Sequence, residues 1–426
     1  MPVSAAAGLR WVMWGIPALL FLIAFFHRVA PGVIAKELMQ TFHATGTIVG
    51  LLGSTYFYAY AALMVPAGLF VDAYGVRRVV STGSAVMGLG TVAMGMAPSQ
   101  ALLFTGRFLV GLGATVTFIG ALKVAATWFP ASHFGTLSAI TATVGVLGSL
   151  VATYPLAALV AAVGWRGAFW IIGLLTVALA AICLAVVRDR PPGTRDAQAT
   201  ARGVAAVMPG LIKVLANPHT WPPFLAFFCA YSATANLMLW VVPYMRDVYG
   251  LSTTAAAFYA TAAPLALLVS GPLTGYLSDR VLRRRKLPYS TLTAVSAALW
   301  LAFVLTAGVL PPWSIYALFF AMGLAGGAFV LTWPIGREVN PPQLEGIAVA
   351  VVNLGGFLGA AVSQALLGAL LDAGWTGAIL DGARVYPVAA YRATFLACAL
   401  LLVAAFLVTL GMRETRGRNI YHELAR

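Results

Sequence analysis

Gly68-Leu69-Phe70-Val71-Asp72-Ala73-Tyr74-Gly75-Val76-Arg77-Arg78 is a charged turn set between two apolar runs, 46–71 and 77–97. Each run is long enough for a helix to cross a hydrocarbon core about 30 Å thick. Asp72, Arg77 and Arg78 are costly inside lipid, so the turn belongs at a membrane surface and its flanks belong within the membrane.

The same alternation fills the chain. Of its 426 residues, 61% are hydrophobic and only 9% charged, with a mean hydropathy of +0.91. Soluble domains carry roughly 25% charged residues, so an ordinary water-facing surface is excluded. Apolar runs bounded by Gly, Pro and charge predict twelve spans, at 11–35, 46–71, 77–97, 100–127, 134–162 and 165–187, then 220–245, 253–278, 288–309, 312–336, 344–371 and 389–411. Lipid forbids unsatisfied backbone, and the ten-residue alternation of a barrel is missing, so the spans are helices. The expected fold class is an all-α integral membrane protein. The first run is too long for a cleavable signal, carries His27 and Arg28, and is followed by further spans.

The formal net charge of +14 comes from 26 Lys and Arg, and it would suggest nucleic acid in a soluble protein. Here the basic residues cluster in alternate loops: Arg188, Arg190, Arg195, Arg202 and Lys213; then Arg280, Arg283, Arg284, Arg285 and Lys286; then Arg413, Arg416, Arg418 and Arg426. Short basic loops stay in the cytoplasm. Both termini and the central loop are therefore expected inside, with the protein multi-pass in the inner (plasma) membrane. Cys183, Cys229 and Cys398 lie in apolar spans and read as small buried hydrophobes.

Pro191, Pro192 and Gly193 mark a linker over 188–218. It divides the chain into an N-terminal six-helix bundle (1–187) and a C-terminal one (219–426) with a short tail. The halves echo one another. Gly68-x-x-x-Asp72 recurs as Gly275-x-x-x-Asp279, and Gly164-Trp165 recurs as Gly374-Trp375, at nearly equal offsets. Internal duplication of this kind underlies many transporters.

The turn 68–78 resembles the signature between spans two and three of the major facilitator superfamily, with Ala73 where an Arg is usual. Within that family, Phe26-His27-Arg28-Val29-Ala30-Pro31, Trp128-Phe129-Pro130 and Gly164-Trp165-Arg166 resemble the organic anion:cation symporter branch. The resemblance implies the major facilitator fold, two pseudo-symmetric six-helix bundles, and substrates such as sugar acids, sugar phosphates and other carboxylates. It also implies an inner-gate role for Gly68, Asp72, Gly75, Arg77 and Arg78, and for Asp279 and Arg280 in the second half.

Charge within the spans is one-sided. All twelve acidic residues fall at span ends or in loops, whereas Arg28, Arg107 and Lys123 lie within spans. A buried charge is functional by default, and a guanidinium matches carboxylate or phosphate in paired hydrogen bonds. Arg28 and Arg107 are therefore expected to face a central cavity and take an anion, with Lys123 a weaker candidate nearer the cytoplasm. The plainer alternative for Arg107 is a packing role bonded to backbone. His27 is a candidate proton carrier. Tyr56 and Tyr60 share a helix face and offer hydroxyls; Asn236, Asn353, Trp240 and Trp333 are the candidates in the second half, against a packing role for each.

There is no Walker loop, zinc spacing or nucleophile elbow, so no cofactor, metal or enzymatic step is expected. The reading is a secondary transporter of a small organic anion by alternating access, acting as a monomer in the lipid bilayer and probing protons or a counter-anion as its coupling partner. Proton symport leads; anion exchange, or import of an anionic metal chelate, is the alternative. A non-transporting receptor stands outside the class and would need a signalling segment beyond the short tail.

Overall fold

The structure is a computed structural model that describes residues 3–191 and 204–424. Twelve of the described helices are long and apolar enough to cross a membrane. Spans one to six are Gly8–Val33, Gly46–Met64, Val76–Met96, Gln100–Trp128, Phe134–Val151 and Tyr154–Val186. Spans seven to twelve are Pro218–Tyr249, Thr253–Val281, Lys286–Thr306, Pro312–Glu338, Pro342–Ala373 and Val388–Leu410. The helix of span two continues to Tyr74, and Gly75 separates it from span three.

Two breaks refine the expected boundaries. The run expected as 134–162 is interrupted after Val151, because Pro155 restarts the helix at its first turn. The helix Tyr154–Val186 then turns at Gly164, at φ 73° and ψ 161°, where any other residue would be strained. Its echo Gly374 sits at φ −92°. The two Gly-Trp pairs share spacing and not geometry.

Part of the segment expected as a polar linker is helical. Val204–Ala216 is a helix, and Val214 and Leu211 pack with Ala348, Val351 and Ile347 of span eleven. The apolar periodicity of this helix supplies the face it buries. Pro192, Gly193, Arg195 and Arg202 of the linker, and Arg426 of the tail, lie outside the described residues.

By its contacts the chain forms two compact units. The first holds residues 1–30 and 58–204, and the second holds 31–57 and 205–426. In the first unit, spans three and four meet through Gly90 and Gly106. A Cβ on either would lie 2.6 Å from the other's carbonyl oxygen, so only glycine permits the approach.

In the second unit, the short helix Ala35–Phe42 and the start of span two dock on the ends of spans seven and eleven. A small hairpin, Ile379–Leu380 against Ala383–Arg384, completes that end. Its turn is Asp381-Gly382, both at positive φ, the arrangement a two-residue hairpin turn requires. Span ten is discontinuous. A helix Pro312–Gly326 passes into a 3-10 turn, Gly327–Leu331, before the helix Thr332–Glu338.

Candidate functional site

Arg28 stands half-buried in the first unit, its guanidinium carbon 3.8 Å from the centre of the Phe25 ring and 5.1 Å from that of Tyr60. A guanidinium set over ring faces is attracted by their quadrupoles. Among the described residues, the acids of this unit are Asp72 and Asp189. Both are engaged elsewhere: Asp72 with Lys123, and Asp189 with the backbone N–H of Arg77.

Arg107 behaves differently. It is fully enclosed, at 0% exposure, and its Nη1 donates to the backbone carbonyl of His27 at 2.7 Å. Span four thus ties itself to span one through a side-chain to backbone bond. The expectation that both guanidinium groups open onto a cavity is corrected for Arg107, whose surroundings are closed packing. His27 is likewise enclosed, with Nε2 3.1 Å from Thr91 Oγ1, while Nδ1 has no hydrogen-bond partner among the described residues.

Lys123 lies far from Arg107 along the same helix, roughly 24 Å at 1.5 Å rise per residue. It pairs with Asp72 at 2.6 Å. It therefore joins the residues of the 68–78 turn and not the Arg28 neighbourhood. In that turn Gly75 adopts φ 82°, and a Cβ there would meet the Asp189 carboxylate at 2.5 Å. Asp189 occupies that space and accepts from the Arg77 N–H at 2.8 Å, capping span three. The Arg77 side chain donates to the Leu184 carbonyl. Gly68 has open space around it, and Arg78 is exposed.

The second unit has its own version of this end. Asp279 pairs with Arg285, and Arg280 is exposed. Arg285 also reaches the buried Glu338 at 3.3 Å, which takes a hydrogen bond from Thr415. Burial pulls the Arg285 guanidinium down, but Glu338 and Asp279 outweigh it, and its pKa sits above the ordinary arginine value. Arg285 reaches Asp279 because the chain bends back across the end of span eight before span nine begins.

Among the second-half candidates, Trp333 and Asn353 come together: the indole Nε1 donates to Asn353 Oδ1 at 3.0 Å. Both are half-buried, beside Phe227, Tyr231, Phe329 and Phe357. Asn236 is instead spent on packing. Its Nδ2 donates to the Ser232 carbonyl and to Ser363 Oγ, bonding span seven to span eleven. Trp240 is fully buried, as is Tyr56, which sits edge-on to Phe57. These three are corrected from cavity-lining to core positions.

Sequence reasoning missed a buried polar cluster at the ends of spans seven and eleven. Lys36 pairs with Asp247 at 2.6 Å with 4% of each side chain exposed. Asp247 also accepts from the Tyr391 hydroxyl and the Tyr386 N–H. Glu37 pairs with Arg246 at 2.9 Å. Asp372 accepts from the N–H groups of Gly46 and Thr47, capping span two from the end of span eleven. Burial lowers the Lys36 pKa below the usual lysine value, with Asp247 opposing. The available signal was the pair of adjacent opposite-charge doublets, Lys36-Glu37 and Arg246-Asp247, each at a span end.

The profile of the Major Facilitator Superfamily matches residues 17–364. The chain belongs to the Major Facilitator Superfamily. Like the members it resembles, this superfamily protein is a multi-pass membrane transporter and not an enzyme.

It is 25% identical to the uncharacterized transporter YybO of Bacillus subtilis, over 95% of this chain and 92% of that one. It is 26% identical to a probable sulfoacetate transporter, SauU, of Cupriavidus necator, over 65% and 66% of the two chains. It is 24% identical to a probable galactarate/D-glucarate transporter, GudP, of Escherichia coli, over 93% of each. The major facilitator fold is seen again in a bacterial homologue of the human lysosomal transporter Spinster, in its inward-facing and unoccupied conformation. That match has a TM-score of 0.73 at 18% identity and covers 94% of this chain and 97% of the other.

Proposed function

We propose that this superfamily member carries a small organic anion by alternating access, with Arg28 taking the anionic group. The observation that carries this reading is the half-buried Arg28 guanidinium inside span one, its carbon 3.8 Å from the centre of the Phe25 ring and 5.1 Å from that of Tyr60. Hydrogen bonds between charged partners contribute about 1.5–3 kcal/mol each, enough for one guanidinium to select anions. The names of the relatives, which specify sulfoacetate and galactarate/glucarate, support an organic anion as cargo.

The 1–187 and 219–426 bundles are the proposed carrier halves, joined by the 188–218 linker. The proposed setting is the inner membrane, with both termini in the cytoplasm, in accord with the basic loops. The Asp72–Lys123 and Asp279–Arg285–Glu338 clusters are then inner-gate latches, alongside Gly68, Gly75, Arg77, Arg78 and Arg280. Proton symport through His27 is the leading coupling. Anion exchange is the alternative, because an exchanger needs no protonatable carboxylate within the membrane and the acidic residues fall at span ends or in loops.

Uptake of an organic-anion panel into proteoliposomes, with and without an inward proton gradient, tests the reading. Gradient-driven accumulation that falls by on the order of 100-fold in Arg28→Ala is expected. Uptake that needs anion on both sides and ignores the gradient would replace symport by exchange. Uptake unchanged in Arg28→Ala would overturn the role of Arg28.

A further inference from the structure

Spans eight and nine of the second unit are joined beside the end of span twelve. The two stretches that meet there, 279–286 and 410–416, hold seven basic residues against two acidic ones, Asp279 and Glu414. Basic loops set topology through their number alone. The structure adds how they are arranged.

Both acids are spent inside the stretches. Asp279 pairs with Arg285, which also reaches the buried Glu338. Glu414 clamps the two stretches together. Its Oε1 accepts the N–H groups of Arg285 at 2.7 Å and Arg416 at 3.1 Å, and its Oε2 accepts the Lys286 N–H at 3.2 Å. The Lys286 ammonium donates to the Leu410 carbonyl at 2.6 Å. Arg280, Arg283, Arg284, Arg413 and Arg416 are left exposed, and among the described residues none of them pairs with a carboxylate.

Two of these five occupy a backbone conformation that arginine adopts at a cost. Arg283 has φ 50° and Arg416 φ 53°, in the left-handed region that favours glycine. Neighbouring bonds hold Arg283 there. Span eight ends in a π-turn, Leu277–Val281, and the Leu277 carbonyl accepts the Leu282 N–H. Ser278 closes on Arg284 twice: its carbonyl accepts the Arg284 N–H, and its hydroxyl donates to the Arg284 carbonyl at 2.7 Å. Glu414 holds the Arg416 N–H in the same way. Glycine would fit both positions with less strain, but only arginine brings charge to them. Strained residues and π-turns concentrate at functional positions.

The surroundings are those of a membrane surface. Tyr276, Val281, Leu282, Leu287 and Leu410 are exposed close to these arginines in the chain, at the ends of three spans. We propose that this surface binds an anionic phospholipid, with the arginines on its phosphate and the apolar side chains against its acyl chains. A guanidinium takes phosphate in paired hydrogen bonds, and basic clusters next to spanning helices attract anionic lipid. A soluble phosphate would use the arginines and leave the apolar side chains without a partner. The lipid is a second partner besides the cargo, and Arg283 and Arg416 have no part in the proposed gate.

Native mass spectrometry of the purified full-length protein tests this by titration with dioleoyl phosphatidylglycerol and with the zwitterionic dioleoyl phosphatidylcholine. Phosphatidylglycerol is expected to bind about 10-fold tighter. Arg283→Gly with Arg416→Gly removes two guanidinium groups and relaxes both backbones. It should weaken phosphatidylglycerol by at least about 10-fold, at about 5-fold per arginine near a lipid surface, and change phosphatidylcholine less than about 2-fold. The strain relieved offsets the freedom that glycine adds to the unfolded chain, so the melting temperature should hold. Should the glycine pair fail to fold, Arg283→Gln with Arg416→Gln repeats the test. Arg188→Gln with Lys213→Gln removes as much charge from another basic stretch and should leave phosphatidylglycerol binding within about 2-fold. An equal loss in that control would reduce the effect to diffuse surface charge and overturn the site. Displacement of the lipid by glycerophosphate or hexaglutamate, anions without acyl chains, would make this a site for soluble anions and overturn the lipid assignment. Equal binding of the two lipids overturns the proposal outright.

Discussion

Two lysine–aspartate pairs in this chain have the same length and opposite surroundings. Lys36–Asp247 and Lys123–Asp72 are both 2.6 Å, but the first pair is 4% exposed on each side and the second is about half-exposed. Distance alone would rank them equal. Burial does not, because an exposed pair exchanges its water for one contact at little net gain, whereas a buried pair leaves an uncompensated charge when either partner is lost. The exposed pair is cheap to open and suits a latch that cycles. The buried one, with Tyr386 and Tyr391 also on Asp247, suits a joint that fixes Pro31–Phe57 in its unit.

The sharpest way to break this contrast is at the buried pair. Lys36→Ala, or Asp247→Ala, is expected to cost about 3–5 kcal/mol. Thermal unfolding followed by a thiol-reactive dye reads this directly, since Cys398 and Cys183 are buried in the fold. The double substitution Lys36→Met with Asp247→Leu should recover most of that loss, since no charge is left stranded. If the single variants melt like the parent, the two pairs are equivalent and burial is not what separates them.

Next in size is the turn that carries the exposed pair. Gly75→Ala forces a side chain to φ 82° and against the Asp189 carboxylate. A loss of about 1–3 kcal/mol is expected, from backbone strain together with the weakened cap on Arg77. Asp189→Ala with Gly75→Ala removes the collision but also the cap on Arg77 and leaves the strain, so the double variant should stay well below the parent. A double variant as stable as the parent would overturn the backbone share of the cost.

The smallest effect is assigned to the exposed pair itself. Lys123→Ala should change stability by no more than about 1 kcal/mol. Its contribution should fade between low and high salt, because screening shortens to about 3 Å at 1 M. Unfolding at two ionic strengths checks both statements. A salt-independent loss as large as that of Lys36→Ala would erase the distinction between latch and joint.

Much of the architecture was legible beforehand. Twelve spans follow from hydropathy and length, and the 68–78 turn carries the family resemblance; the hairpin at Asp381-Gly382 was not read from the sequence, although the dipeptide signals one. The candidate site was legible only in part. Arg28 and Arg107 look alike as cations inside apolar runs, yet one stacks half-open on two rings while the other is sealed against a carbonyl of span one. Nothing local to either residue encodes that difference. Asn236 and Asn353 divide in the same way, the first bonded between spans seven and eleven, the second to Trp333.

The amino-acid sequence by itself determined what depends on near neighbours and on solvent: which segments leave water, where helices must stop, and which ends carry charge. Hydrophobic transfer and backbone satisfaction act on each segment separately, so they can be read one segment at a time. Only the tertiary structure decided which segments meet. It put residues 31–57 with the second unit, gave Asp279 to Arg285, and set Ser270 against Gly327. It also gathered five rings from three spans. Those outcomes depend on contacts between residues far apart in the chain, where small side chains, bends and competing partners settle the packing together.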